Sequence, residues 1–178
     1  MLGGGFGVTI DPRGSAWFGN FGWGNALVCT PDPIPSEDGN GSISRFTLSG
    51  APMSQPNGYQ GGPVRVQGLG SVGEGNIWIS SFKNNRVYVF RHGNPHQPVF
   101  IQPYDRAAPF DVAIASDGTA WVSNTGGLPF GEFRRSIAKY ALVNGMLQQQ
   151  FLHFLPDGRR PKGRVPRLPR KCMARCSG

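Results

Sequence analysis

Short runs that alternate between apolar and polar residues recur along the chain, separated by glycine, proline and asparagine. This period predicts β-strands with one buried face. Three segments repeat the same order, with an apolar run, a tight turn and a second run that begins on tryptophan. These second runs are Trp17-Phe18-Gly19-Asn20, Trp78-Ile79-Ser80-Ser81 and Trp121-Val122-Ser123-Asn124. Self-similarity of this kind indicates a repeat architecture.

The turn before each tryptophan has one design. Glycine stands three residues before tryptophan in every copy, as Gly14, Gly75 and Gly118. In the first copy Asp11 and Pro12 hold the first two turn positions, which matches the preferences of a type I turn. Each copy therefore predicts a hairpin between its first and second strands.

Further apolar runs complete each copy. Third runs lie at 42–46, 86–90 and 136–140, and fourth runs at 99–101 and 151–154. The first copy has only a poor candidate for a fourth run, at 63–66, and glycines weaken the first strand of the second copy, at 70–73. Asn144-Gly145 predicts a hairpin turn. Four short antiparallel strands per repeat are the pattern of a β-propeller blade.

The predicted fold class is all-β, an incomplete β-propeller of about three four-stranded antiparallel blades. The blades are expected at residues 5–62, 63–106 and 107–158, so that 1–158 form a partial propeller and 159–178 a tail. Because three blades do not close a ring, we expect missing blades from a larger, six-bladed parent.

The motif Gly-x-x-Trp, followed by Val or Ile, Ser or Ala and then Asn, resembles NHL-repeat propellers. The streptogramin (virginiamycin B) lyase-like branch is the most similar, over residues 5–158. The resemblance implies blade structure and a truncated or frameshifted segment. This group includes lyases, lactone hydrolases and scaffolds. The resemblance places the lyase's His, Glu and metal-ligand positions in other blades, without counterparts here, so its activity is not carried over.

The net charge of +8 is confined to the end of the chain. Residues 1–158 contain ten basic and ten acidic residues, whereas 159–178 contain eight basic residues and no acid. A basic tail is typical of a nucleic-acid-binding arm. A competing hypothesis is a one-base frameshift near Gly163, since the codons of Met173 and Ala174 read tryptophan one base later. Under that hypothesis the tail is disordered and nucleic acid is not an expected partner.

The residues that carry most protein chemistry do not assemble into a site. Three cysteines do not indicate a disulfide framework, and His92 and His96 flank a Gly-Asn-Pro turn, not a helix face. The glycine-rich stretch at 68–73 precedes a strand, whereas a dinucleotide site requires a helix. We therefore expect no catalytic residues, metal or cofactor in this chain.

The long loops between second and third strands are the candidate binding region. Asn20 and Asn124 follow each tryptophan by three residues, and Trp23 and Phe130 lie in the loops. These four residues either face a ligand or serve the strand ends and blade edges. The ligand is an unknown small molecule, polysaccharide or protein.

The leading hypothesis is a non-catalytic binding or scaffold propeller segment. The alternative is a fragment of a propeller enzyme, a lyase or hydrolase, whose catalytic residues lie in the missing blades. No apolar run reaches 18 residues, so no membrane span is expected, and the start lacks the features of a signal peptide. The compartment is not assigned, and an extracytoplasmic location stays open for a longer parent.

Overall fold

The computed structural model describes residues 5–21, 41–60, 62–126 and 134–156. The described residues form three antiparallel sheets in which strands pair in chain order. Sheet 1 consists of β1 (Gly5–Ile10), β2 (Ser15–Asn20) and β3 (Ser42–Thr47). Sheet 2 consists of β4 (Val66–Val72), β5 (Asn76–Ser81), β6 (Arg86–Phe90) and β7 (Val99–Ile101). Sheet 3 consists of β8 (Pro109–Ile114), β9 (Ala120–Asn124), β10 (Ser136–Val143) and β11 (Met146–Phe154).

The sheets stack through their first strands, β1 on β4 and β4 on β8. Equivalent positions meet, because Gly7 faces the backbone of residues 67–69 and Gly68 faces that of Asp111 and Val112. A Cβ atom added to Gly68 would lie 2.7 Å from the Asp111 Cα. Glycine is the residue that permits such close approach between backbones. Four-stranded meanders stacked by their inner strands are β-propeller blades, which confirms the predicted all-β, incomplete propeller.

The three tryptophans occupy one register position. Each pairs with the same level of its inner strand, as Thr9 with Trp17, Gly70 with Trp78, and Ala113 with Trp121. Trp17 and Trp78 are 0% and 1% exposed, in hydrophobic cores shared with the following sheet. Trp121 is 37% exposed, since no described sheet lies beyond it.

The turns before the tryptophans share the predicted geometry. Gly14, Gly75 and Gly118 adopt positive φ values of 78°, 80° and 82°. The amide N–H of each glycine donates to the carbonyl three residues earlier. Glycine is needed here because other side chains rarely adopt this conformation. The hairpin at Asn144-Gly145 is also confirmed, with φ values of 50° and 76° between β10 and β11.

The first copy has no fourth strand among the described residues, in keeping with its lack of an obvious fourth run, and the second copy has a complete first strand despite its glycines. Residues 63–66 do not form a fourth strand of sheet 1, since Val66 begins β4; isolated bridges at Pro52 and Tyr59 flank β3 instead. β4 is a full strand of seven residues. Packing between the sheets requires glycine at position 70, because an added Cβ atom would lie 2.6 Å from the Ile114 side chain of sheet 3.

Within the described ranges, no helical segment is long and apolar enough to cross a bilayer.

Candidate binding site at the bulged end of the inner strands

Each inner strand has a β-bulge at the same place, near its start. The pairing with the second strand shifts register between Gly5 and Val8, between Val66 and Leu69, and between Pro109 and Asp111. Bulges redirect side chains and are over-represented beside functional sites. We call this end of the stacked sheets the bulged end; the second strands finish there at Asn20, Ser81 and Asn124.

Aromatic pairs flank the bulged end in sheets 1 and 3. The ring of Phe6, 54% exposed, lies 4.9 Å from that of Phe21. The equivalent of Phe6 in sheet 3 is Phe110, whose ring lies 6.3 Å from Phe82 of sheet 2. Gln67 holds the same position in sheet 2 and is buried. The bulged end therefore combines apolar rings with an amide, a composition common in ligand-binding sites.

The two asparagines predicted from the sequence lie at this end, buried beneath the surface. The Asn20 amide nitrogen donates to the hydroxyls of Ser42 and Ser44, both at 2.8 Å. The Asn124 amide nitrogen donates to the Ser136 hydroxyl at 2.9 Å. Both side chains thus bind serine hydroxyls of the third strand, a contact that the sequence analysis did not anticipate.

A hydrogen-bond chain fixes the orientation of the Asn124 amide. The Tyr104 hydroxyl donates its proton to the Arg134 carbonyl, because a carbonyl can only accept. The Tyr104 oxygen therefore accepts a hydrogen bond from the Ser136 hydroxyl at 3.1 Å. Ser136 must then accept from Asn124, whose nitrogen is the donor. Burial raises the pKa of Tyr104, against the opposing effect of the Ser136 bond, so the phenol keeps its proton.

Four amide oxygens at the bulged end are buried and lack a partner. Within the described residues, Oδ1 of Asn20, Oε1 of Gln67, Oδ1 of Asn124 and, in the β5–β6 turn, Oδ1 of Asn84 accept no hydrogen bond. Rotating the Asn20 amide by 180° would pair Oδ1 with the serine hydroxyls and leave Nδ2 without a partner instead. A buried unsatisfied acceptor costs about 1 to 3 kcal/mol, so these positions favour a bound donor such as water or a ligand.

The remaining predicted residues, Trp23 and Phe130, fall outside the described residues. The sequence analysis missed Phe6, Gln67 and Phe110. A signal existed, since each stands 11 residues before its tryptophan, at the same place in its repeat. The bulges that make this position special leave no mark in the alternation of polar and apolar residues.

A second buried polar cluster lies at the opposite end of sheet 1. Asp11 accepts hydrogen bonds from the Trp17 indole at 2.9 Å and the backbone N–H groups of Arg13 and Ser15, and pairs with Arg45 at 3.3 Å. Burial alone raises the pKa of Asp11, but these donors and the Arg45 charge outweigh it and lower the pKa below its usual value. All of its partners are structural, so this cluster stabilises the β1–β2 turn.

The outer rim carries a shallow polar cleft of about 420 Å³ between sheets 1 and 2. It lies where sheet 1 lacks a fourth strand, and Tyr59 and His96 meet edge-to-face across it. No group of three or more His, Cys, Asp or Glu residues that could hold a metal exists within the described parts of the chain.

No protein-family model and no curated protein sequence matches the chain. Solved structures do match in fold. Inactive virginiamycin B lyase from Staphylococcus aureus with quinupristin has a TM-score of 0.54 and 15% identity, over 82% of this chain and 40% of that one. A nidogen/laminin complex has a TM-score of 0.57 and 13% identity, over 87% and 48%. PQQ-bound aldose sugar dehydrogenase from Streptomyces coelicolor has a TM-score of 0.51 and 19% identity, over 88% of this chain and 51% of that one.

The likeness confirms, at the level of the fold, the resemblance to streptogramin lyase-like propellers. The chain spans about half the length of these structures. They comprise two enzymes and a nidogen/laminin complex, so the fold is shared among proteins of different kinds.

Proposed function

We propose that this chain is a non-catalytic binding segment of a β-propeller, whose ligand lies at the bulged end of the inner strands. The observation that carries the proposal is the set of buried, unpaired amide oxygens of Asn20, Gln67 and Asn124 at that end. The hydrogen-bond chain through Tyr104 and Ser136 fixes the Asn124 oxygen as an acceptor, so the ligand must donate a hydrogen bond to it.

The surroundings narrow the ligand further. The rings of Phe6 and Phe110 supply apolar surface at the same end of the sheets as the amide side chains of Asn20, Gln67 and Asn124. Amide oxygens and aromatic rings favour a neutral molecule with O–H or N–H groups on one side and an apolar face on the other.

Ligand-observed nuclear magnetic resonance tests the proposal with a library of neutral sugar and amide fragments. The chain should transfer saturation to a subset of fragments, and Phe6→Ala should remove most of that signal. Phe100→Ala is the matched control, because Phe100 is 50% exposed, as Phe6 is, but lies on the outer strand β7. Absence of binding fragments, or equal loss in both variants, would contradict a site at the bulged end.

The enzyme alternative is tested separately with quinupristin, the molecule named with the Staphylococcus aureus lyase. We expect no conversion when the chain is incubated with quinupristin and the mixture is followed by liquid chromatography. Turnover would replace the non-catalytic proposal.

A further inference from the structure

Among the described residues, the first and third sheets each have one face that no other sheet covers, and the two faces are of opposite kinds. Sheet 3 exposes the face that holds its tryptophan; the open face of sheet 3 consists of Asp111, Ala113, Trp121, Ser123, Ile137, Lys139, Phe151 and His153. Sheet 1 exposes the other face; the open face of sheet 1 consists of Val8, Ile10, Phe18 and Phe46. Both contain large exposed apolar side chains.

Register equivalence shows what each open face matches. Val8 and Phe18 hold the positions of Leu69 and Ile79 in sheet 2, which pack in the core that covers Trp17. The open face of sheet 1 therefore resembles the face of sheet 2 that covers Trp17. The open face of sheet 3 resembles the face of sheet 2 on which Trp78 lies and which sheet 3 covers.

We propose that the two open faces pair with each other between two copies of this chain, and that the resulting dimer closes a ring of six sheets. Each copy carries one face of each kind, so sheet 3 of each copy covers sheet 1 of the other. Contacts of this head-to-tail type generate a closed ring when the rotation closes, and six sheets lie within the range of propellers.

The match between the two open faces supports a second copy as the occupant. Val8 and Phe18 hold the covering positions of Leu69 and Ile79, and Trp121 holds the covered position of Trp78.

A polar contact at the existing junction has its counterpart on the open face. The Ser80 hydroxyl crosses from sheet 2 to sheet 3 and donates to the Phe110 carbonyl at 2.6 Å. Ser123 holds the same position in sheet 3 and is exposed. In the ring, Ser123 would meet the carbonyl of Phe6 of the second copy, because Phe6 is the equivalent of Phe110.

One residue makes the junction between copies weaker than the two junctions within a copy. Asp111 stands where Gly7 and Gly68 allow backbones to approach, and a Cβ atom at those glycines would lie 2.7 Å from the neighbouring strand. The inner strands of two copies must therefore stand further apart than those within one copy. We expect a dimer that dissociates on dilution.

Sedimentation velocity of the full chain measures the association. The weight-average mass should rise with concentration from 19.2 kDa to twice that value and stop there. A mass that stays at one chain, or that grows without limit into filaments, would overturn the closed dimer.

Charged substitutions locate the contact. Trp121→Arg and Val8→Arg should each weaken dimerisation by about 100-fold or more, because each buries an unpaired charge at both junctions. Phe100→Arg is the control, at similar exposure but on neither open face, and should leave the dissociation constant within about threefold. An equal loss in all three variants, or in none, would contradict the proposal.

A mixture of the Trp121→Arg and Val8→Arg variants tests the head-to-tail arrangement. A mixed dimer has one unaltered junction, whereas each variant alone has none, so mixing should raise the mass above that of either variant. A face-to-face dimer would gain nothing in this way, and that result would exclude the ring.

A gain of association provides a test that does not depend on damaged variants. Asp111→Gly should tighten the dimer by about tenfold or more, since it removes the Cβ that holds the strands apart. Asp111→Ala removes the charge but keeps the Cβ and should tighten it less. An Ala variant as tight as the Gly variant would assign the effect to charge and contradict the proposed close approach.

Discussion

Trp78 at the junction of sheets 2 and 3 and Trp121 on the open face of sheet 3 hold the same register position in their own sheets. Both pair with the inner strand at the same level, and both precede a strand end by three residues. On the third strand Trp78 pairs with Val89, whereas Trp121 pairs with Lys139, whose ammonium lies 5.6 Å from the indole ring. Beyond the sheet, Trp78 shares a core with Val112, Val122 and Tyr140, whereas no described sheet lies beyond Trp121. The burial of the repeat's largest residue therefore depends mainly on the following sheet. Four pairs of substitutions test how far this difference extends.

The largest effect is expected at the tryptophans themselves. Trp78→Ala should destabilise the fold by about 3 to 5 kcal/mol, because it leaves a cavity between two sheets. Trp121→Ala, at a partly exposed position, should cost about 1 kcal/mol. Urea unfolding at low protein concentration, followed by circular dichroism, measures both. Equal costs would show that the two positions are not distinguished by the neighbouring sheet.

The second comparison is between two carboxylates beside a tryptophan. Asp11→Asn should destabilise the fold by about 2 to 4 kcal/mol, because it breaks a buried, paired network around Trp17. Asp117 is exposed beside Trp121 and pairs with Lys139 at 3.2 Å. Its hydrogen bonds with Thr119 and Lys139 lower its pKa to about 2. Asp117→Asn should change stability far less.

The pH dependence separates these two carboxylates. The folded pKa of Asp11 is lowered, so its contribution is fully present above the unfolded value of about 3.9 and is lost as the pH falls through the folded value. The wild type should lose stability below about pH 4, and Asp11→Asn should flatten that loss. The pKa of Asp117 is also lowered, but this carboxylate is exposed, so solvent and salt screen its interactions and Asp117→Asn should flatten the profile less. Equal flattening by the two variants would contradict the assignment to the buried network.

The third comparison uses the inner strands. Gly68→Ala should cost about 1 to 3 kcal/mol, because its Cβ would lie 2.7 Å from backbone atoms of sheet 3. Asp111→Ala, at the equivalent position on the open face, introduces no such clash and should cost about 1 kcal/mol or less, because it loses only the hydrogen bond from the Val112 N–H at 2.8 Å. Thermal unfolding of the two variants measures the difference, and a tolerated Gly68→Ala would contradict the close packing of β4 on β8.

The smallest effect is expected at a pair of serines. The Ser80 hydroxyl accepts from the Gly68 N–H at 2.7 Å and donates to Phe110, so Ser80→Ala should cost about 1 to 2 kcal/mol. Ser123→Ala should cost about 0.5 kcal/mol or less, since its hydroxyl accepts only a longer bond from Asp111 at 3.3 Å. Hydrogen exchange of the Gly68 amide reports the loss directly, and unchanged protection would argue against the bond.

The elements that sequence reasoning predicted well are those with local causes. The turn glycines Gly14, Gly75 and Gly118 need positive φ, and Asn144-Gly145 needs two such residues, so composition alone indicated these turns. Trp17, Trp78 and Trp121 marked the repeat because large residues at a constant offset from a turn occupy equivalent places in a repeated unit.

The elements that sequence reasoning missed depend on contacts between residues far apart in the chain. Gly68 and Gly70 weaken a strand by propensity, yet β4 forms because those glycines admit the strand and side chains of sheet 3. The partners of Asn20 and Asn124 are hydroxyls on strands reached after long loops, which no local pattern predicts. Trp23 and Phe130 lie outside the described residues, so their predicted role stays a prediction.

The glycines at the inner strands also have a consequence for the centre of the molecule. Gly7 and Gly68 set the distance between successive inner strands, and that distance, summed around the axis, is the circumference of any ring these sheets form. A side chain at this position in every repeat would push the strands outward and widen the bore. The presence or absence of a Cβ atom at one residue per repeat would therefore control the radius of such a ring.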